Sequence, residues 1–371
     1  MNTTLKLLEL GQSIWYDNIQ RNLLKSGEFS GMIERGEIRG VTSNPSIFMN
    51  AITKSNDYDA SLFALAKSGW NTEEIFYHLA IEDIQEAAGF FAPLYQQSAG
   101  GDGYVSLEVN PLLANDSAGT LAEVKRLWQR VNRPNLMVKI PATSAGIPAI
   151  SQAIADGINI NVTLIFALER YGQVMDAYLQ GLERRIKAGL PVNTIASVAS
   201  FFVSRVDTNI DNRLKKLAAS GQISAERANS LAGKAGIANA RLAYSEYTNV
   251  FQSERFTKLK ASGANAQRPL WASTSTKNPA YRDVMYVEEL VGRNTVNTVP
   301  PQTLAAFLEH GQVRTSIADD LPAARQLFLE LKACGISMEE VTQELEEEGV
   351  KAFADAFSTL LRVVEEKRSA S

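Results

Sequence analysis

The chain has 371 residues, of which 45% are hydrophobic and 21% charged, with a formal net charge of −4. That length suits one large α/β barrel with extensions or two average domains. An acidic balance with no basic block gives nucleic acid no electrostatic footing, no stretch reaches the ~18 apolar residues of a membrane span, and the single cysteine, Cys334, excludes an intramolecular disulfide.

The N-terminal segment MNTTLKLLELGQSIWYD has no long apolar core and no small-residue cleavage site, so a cytoplasmic protein is expected. Eight short apolar, β-branched runs then follow: SIWYDNI (13–19), RGVTSN (39–44), YVSLEV (104–109), LMVKIP (136–141), INVTLIF (160–166), IASVASF (195–201), RPLWAST (268–274) and TVNTVP (295–300). They are nearly continuous rather than alternating, the pattern of parallel strands covered by helices. Helix starts are signalled between them. Asn71 precedes Glu74 with N-cap spacing, Thr120 and Glu123 form a capping box, and Ser337 with Glu340 opens the long final helix. Cys334 reads as a small, half-buried residue at a helix end.

Eight strands alternating with helices fit a closed (β/α)8 TIM barrel or an open doubly wound sheet. No Gly-rich dinucleotide fingerprint follows any strand, which favours the barrel. Residues 46–102 and 206–262 are helical insertions after strands two and six, and 316–371 form a C-terminal helical extension. With no repeat and no low-complexity linker, 1–371 reads as a single domain.

Barrel chemistry sits where strands end, so polar residues that interrupt the apolar runs there are the candidates. Lys139 stands out, between Val138 and Ile140. Burial disfavours a charged ammonium, and a neutral amine attacks carbonyls to form a Schiff base; the plainer alternative is a lysine that snorkels to solvent. Asp17 and Glu108 end strands one and three and could do acid–base work, or could cap a helix and pair with a structural arginine. Asn44 precedes a proline and doubles as a turn residue. Asn161 and Thr163 share one face of strand five. Ser200 and Arg205, which follow strand six, and Ser275 and Lys277, which follow strand seven, suit a phosphate in the late loops or are solvated turns. There is no P-loop, HExxH, CxxC pair or nucleophile elbow, and His78 and His310 read as ordinary helix residues.

GVTSNPSIF, YVSLEVNP, LMVKIPAT, INVTLIF, SVASFFVSRVD and WASTSTKNP, in this order, resemble the transaldolase family over about residues 11–300, in its longer single-domain branch. The resemblance implies a class I aldolase-type barrel that needs no cofactor or metal and acts on sugar phosphates as a monomer or homodimer. It makes Lys139 the Schiff-base lysine and Asp17 the group that takes the C4 hydroxyl proton. Glu108 with Thr163 would handle a catalytic water. Asn44, Asn161 and Ser200 would hold the dihydroxyacetone unit, and Arg205, Ser275 and Lys277 the phosphate. Much of the family has Arg at position 277, where lysine keeps the charge but loses the bidentate fork. Phe202 stands where aldolase relatives tend to carry Tyr, which favours transfer over simple cleavage. A dihydroxyacetone-releasing aldolase and a non-catalytic barrel are the rival readings.

Overall fold

The computed structural model describes residues 2–369. Eight parallel strands close into a barrel in chain order, with β1 paired to both β2 and β8. They are β1 (Gln12–Tyr16), β2 (Gly40–Val41), β3 (Tyr104–Glu108), β4 (Leu136–Pro141), β5 (Ile160–Ile165), β6 (Ser197–Phe202), β7 (Arg268–Ala272) and β8 (Thr295–Val299). All eight expected strands are present, and the open-sheet alternative is excluded by the closure.

Side-chain alternation sorts each strand into two layers. Ile14, Val138, Val162 and Trp271 face the surrounding helices and join the larger apolar cluster. Trp15, Met137, Val198, Leu270 and Val296 belong to a second cluster that plugs the lower barrel. Full burial of such side chains contributes about 1.5–3 kcal/mol each. Two residues further along four of these five strands, the same inward face becomes polar, at Asp17, Lys139, Ser200 and Thr298, while β7 continues with Ala272. The strands thus carry an apolar plug below and a reactive layer above. Gly40 makes room for the plug, because a Cβ there would lie 2.6 Å from the Trp15 ring.

The segment between β2 and β3 holds helices Pro45–Thr53, Asp59–Lys67 and Thr72–Gln97, the last capped by Asn71 as expected. The excursion after β6 begins with helix Ser204–Ala219 and ends with Glu254–Ala261. His78 and His310 lie on helices Thr72–Gln97 and Pro301–His310, and Cys334 caps helix Leu321–Ala333 in a half-buried position. One helix start differs from expectation. The helix after β3 runs Ser117–Val131, and its cap is Asp116, which accepts from the Gly119 N–H. Thr120 lies inside it and donates to the Leu113 carbonyl. A carboxylate cap at Asp116 completes an earlier turn, despite the poor helix formers Ser117 and Gly119.

The final helix, Met338–Ser369, opens at Ser337, whose hydroxyl accepts from the Glu340 N–H. It packs against helices Pro45–Thr53, Thr72–Gln97 and Ser204–Ala219 and against β5, so it crosses the top of the barrel. Among the described residues no helix is long and apolar enough to span a membrane.

Candidate active site

The parallel register brings the reactive residues to one level. Glu108 pairs with Lys139 across β3–β4, and Lys139 with Asn161 across β4–β5. Lys139 is only 5% exposed. Its Nζ donates to the Ser43 carbonyl at 2.9 Å and stands 3.4 Å from Glu108 Oε2. It does not snorkel to solvent. Its remaining reach is into a cavity of about 220 Å³ at the C-terminal ends of the strands.

Asp17, Asn44, Lys139, Thr163, Ser200, Arg205, Ser275 and Lys277 all line that cavity. Glu108 and Asn161 stand behind them. Glu108 is 6% exposed and sits beneath Lys139. Asn161 is fully buried, donating to Ser106 Oγ at 3.0 Å and accepting from Ser200 Oγ at 2.6 Å, so it fixes the serine that faces the cavity. Asn44 is a helix cap that also faces the cavity. Its side-chain oxygen caps helix Pro45–Thr53 by accepting from the Ile47 N–H, while the residue also lines the cavity wall.

The two carboxyls differ in setting. Burial pushes the Glu108 carboxyl up to about 7, against the opposing pull of Lys139. Asp17 is raised by burial too, but a hydrogen bond from Thr42 and the charges of Lys139 and Lys277 restrain it. Thr42 Oγ1 lies 2.7 Å from Asp17 Oδ1 and 2.6 Å from Thr298 Oγ1, which aims the carboxylate. Glu108 Oε2 and Thr163 Oγ1 are buried without a hydrogen-bond partner inside the protein. Glu108 Oε2 has only the 3.4 Å ion pair with Lys139 and Thr163 Oγ1 has no partner, and a buried oxygen short of hydrogen bonds is costly, so both are available to a substrate or water.

A second cluster is cationic. Arg205 projects from the first turn of helix Ser204–Ala219 and stacks 5.5 Å from the Phe202 ring. Burial lowers its pKa, partly offset by Glu348. The Lys277 ammonium is exposed and donates to Ser275 Oγ at 2.8 Å. Two cations, a serine hydroxyl and loop backbone on one cavity are groups able to bind an anion.

The roof comes from the C-terminal helix. Phe353 lines the cavity, with its ring centroid 5.8 Å from Lys139 Nζ. Leu164, at a bulge in β5 with φ +60°, rises toward the same helix. Gly349 lets the helix settle there, since a Cβ at 349 would lie 3.0 Å from Leu164 Cδ2 and 3.7 Å from Arg205 Nη1. Thr42, Thr298 and Phe353 are site residues that the sequence reading did not single out. Thr42 could have been found from its place two residues before Asn44. Phe353 carries no local signal.

Comparison with known proteins bears on what this arrangement does. The family model for transaldolase/fructose-6-phosphate aldolase matches residues 14–364. The transaldolase of Mycolicibacterium smegmatis is 49% identical over 352 residues, covering 95% of this chain and 93% of the relative. That of Trichodesmium erythraeum is 44% identical, covering 99% and 97%, and that of Thermobifida fusca 47% identical, covering 98% of each.

Proposed function

The chain belongs to the transaldolase/fructose-6-phosphate aldolase family, and from that premise we propose how its residues divide the transaldolase reaction. It is a transferase that moves a dihydroxyacetone unit from fructose 6-phosphate or sedoheptulose 7-phosphate to an aldose phosphate through a lysine Schiff base, in the non-oxidative pentose phosphate pathway.

Lys139 Nζ attacks the C2 carbonyl of the ketose phosphate to give a carbinolamine. Loss of water then leaves an iminium ion, with Glu108 and Thr163 exchanging the protons through water. Asp17 takes the C4 hydroxyl proton, the C3–C4 bond breaks, and its electron pair moves into the iminium to form an enamine. The aldose phosphate leaves. An acceptor aldehyde adds to the enamine carbon, Asp17 returns the proton, and hydrolysis of the new iminium frees the product ketose. Arg205, Ser275 and Lys277 hold the phosphate. Asn44 and Ser200, with Asn161 behind Ser200, hold the hydroxyls of the three-carbon unit, which has no phosphate handle of its own. The observation that carries this assignment is the Lys139 amine, buried beside Glu108 and opening onto the cavity that Asp17 shares.

Transfer rather than cleavage requires that the enamine escape protonation. The wall near it is aromatic: Phe202 packs against Phe166 at 5.2 Å, and Phe353 lies above Lys139. Neither ring has a hydroxyl to orient water. We place the enzyme in the cytoplasm, where phosphorylated sugars are made and kept.

Borohydride trapping with fructose 6-phosphate, followed by peptide mass analysis, tests the assignment. A reduced three-carbon adduct on Lys139 is expected, with Lys139→Ala folded and inactive. An adduct on another lysine, or turnover by Lys139→Ala, overturns it.

A further inference from the structure

A second cavity, of about 630 Å³ against 220 Å³ for the active site, lies at the opposite end of the barrel. Its wall is made where strands begin. Tyr104, Ser197 and Arg268 are the first residues of β3, β6 and β7, and Arg293 and Asn294 form the turn entering β8. The apolar plug, through Trp15 and Met137, forms its floor and separates it from the catalytic layer.

The charge of this cavity is opposite to that of the whole molecule. The chain has a net charge of −4, yet no Asp or Glu lines the cavity, while Lys260, Arg268 and Arg293 do. Beside the floor, the Asp102 carboxylate receives two guanidinium groups, Arg39 Nε at 2.7 Å and Arg268 Nη1 at 3.2 Å. This cluster therefore carries one positive charge in excess, in a setting where Arg268 is only 19% exposed. Arg268 is held rigid by further bonds to the Gly101 and Thr295 carbonyls and to Ser13 Oγ. Lys260 and Arg293 form no ion pair among the described residues. With Asp102 already shared by two guanidinium groups and no carboxylate on the cavity wall, these cations raise the local potential and favour an anion.

The other wall is aromatic. On helix Ala235–Phe251, Tyr244 and Tyr247 stack with centroids 5.7 Å apart and planes at 30°. Phe251 adjoins Tyr247 at 5.0 Å, and Phe256 adjoins Phe251 at 4.8 Å. A small inorganic anion would leave this surface unmatched. A planar ring would use it, since a base stacks favourably on an aromatic side chain whatever its identity. The volume also falls within the ~300–1,000 Å³ of small-molecule sites.

We propose that this cavity is a nucleotide-binding site, with the phosphates on Lys260 and Arg293 above the fixed Arg268 and the base against the Tyr244–Tyr247 stack. It is separate from the sugar-phosphate site and shares none of its lining residues.

Calorimetric titration of the full chain with AMP, ADP, ATP and, separately, inorganic pyrophosphate tests this. At least one nucleotide is expected to bind with one-to-one stoichiometry. The double variant Lys260→Ala/Arg293→Ala should weaken it by about 10-fold or more, and Lys277→Ala should leave it unchanged. Tyr244→Ala should weaken the nucleotide but not pyrophosphate, and sugar-phosphate turnover without nucleotide should be unchanged in both the double variant and Tyr244→Ala. All four positions lie on the surface or half-exposed, so the fold survives these changes. Absence of binding by all three nucleotides at low salt overturns the proposal. So does binding that Lys277→Ala abolishes and the double variant retains, which would place the phosphates in the active site. Pyrophosphate binding as tightly as the nucleotides would reduce the cavity to an anion trap and refute the role of the aromatic wall.

Discussion

Glu108→Gln keeps the size of the side chain but removes its titration, and both stability and rate should respond. Burial carries the Glu108 carboxyl from 4.5 to about 7, although Lys139 Nζ is 3.4 Å away. A displacement of that size corresponds to on the order of 3 kcal/mol. The folded-state value lies above the unfolded one, so this stabilisation is complete below about pH 4.5 and is lost as pH rises through about 7. Urea midpoints across that range should show the parent losing on the order of 3 kcal/mol relative to Glu108→Gln. The rate should move the other way. Glu108 can accept a proton from water only as the carboxylate, so kcat/KM of the parent should climb as pH rises through about 7. In Glu108→Gln that limb should vanish, and turnover should fall by about 10²–10⁴-fold. A variant that keeps the limb near 7, with activity within about threefold of the parent, would refute a proton-exchanging role for Glu108.

Lys277→Arg should restore a bidentate phosphate contact and lower KM for fructose 6-phosphate by about 2–10-fold, with kcat little changed; a raised KM in steady-state assays would count against Lys277 as a phosphate ligand. Phe202→Tyr places a hydroxyl beside the enamine, so release of free dihydroxyacetone from fructose 6-phosphate without an acceptor should rise; an unchanged rate would leave water exclusion to other residues. Gly349→Val extends beyond the Cβ position that already lies 3.0 Å from Leu164 Cδ2, and should lift the C-terminal helix from the cavity. It should cost about 1–3 kcal/mol in thermal or urea denaturation and raise KM; full stability with unchanged KM would show that the helix gives way freely.

The strands were legible because both their faces are buried, so each reads as an apolar run, and a polar residue inside such a run is conspicuous. Lys139, Asp17 and Glu108 were visible for that reason. Their alignment was not. That Glu108, Lys139 and Asn161 share a level depends on the stagger of three strands separated by helices, which no local pattern encodes. Asn161 was legible as polar, but its partners Ser106 and Ser200 lie on other strands. The capping box at Thr120 misled because its spacing was sound while Asp116, four residues earlier, offered a better acceptor. Phe353 belongs to a helix whose buried residues Phe353, Phe357, Leu360 and Val364 recur at helical spacing. That rhythm marks a packed face, and gives no hint that one of its rings roofs a lysine encoded more than two hundred positions earlier.

The roof also sets the order in which the enzyme becomes competent during synthesis. Every charged group assigned to the chemistry lies between Asp17 and Lys277, and the barrel closes when Thr295–Val299 pairs with β1. Yet the ring over Lys139 emerges from the ribosome only after residue 353 has been added and the helix beginning at Met338 has swung back across the opening. A nascent chain that has completed its barrel therefore holds a formed lysine–carboxylate set under an open top, where water can quench an enamine. Cleavage in the connection between Pro301–His310 and Leu321–Ala333 would recreate that state in a finished molecule. Such a nicked protein would cleave ketose phosphates and release free dihydroxyacetone more readily than it passes that carbon on.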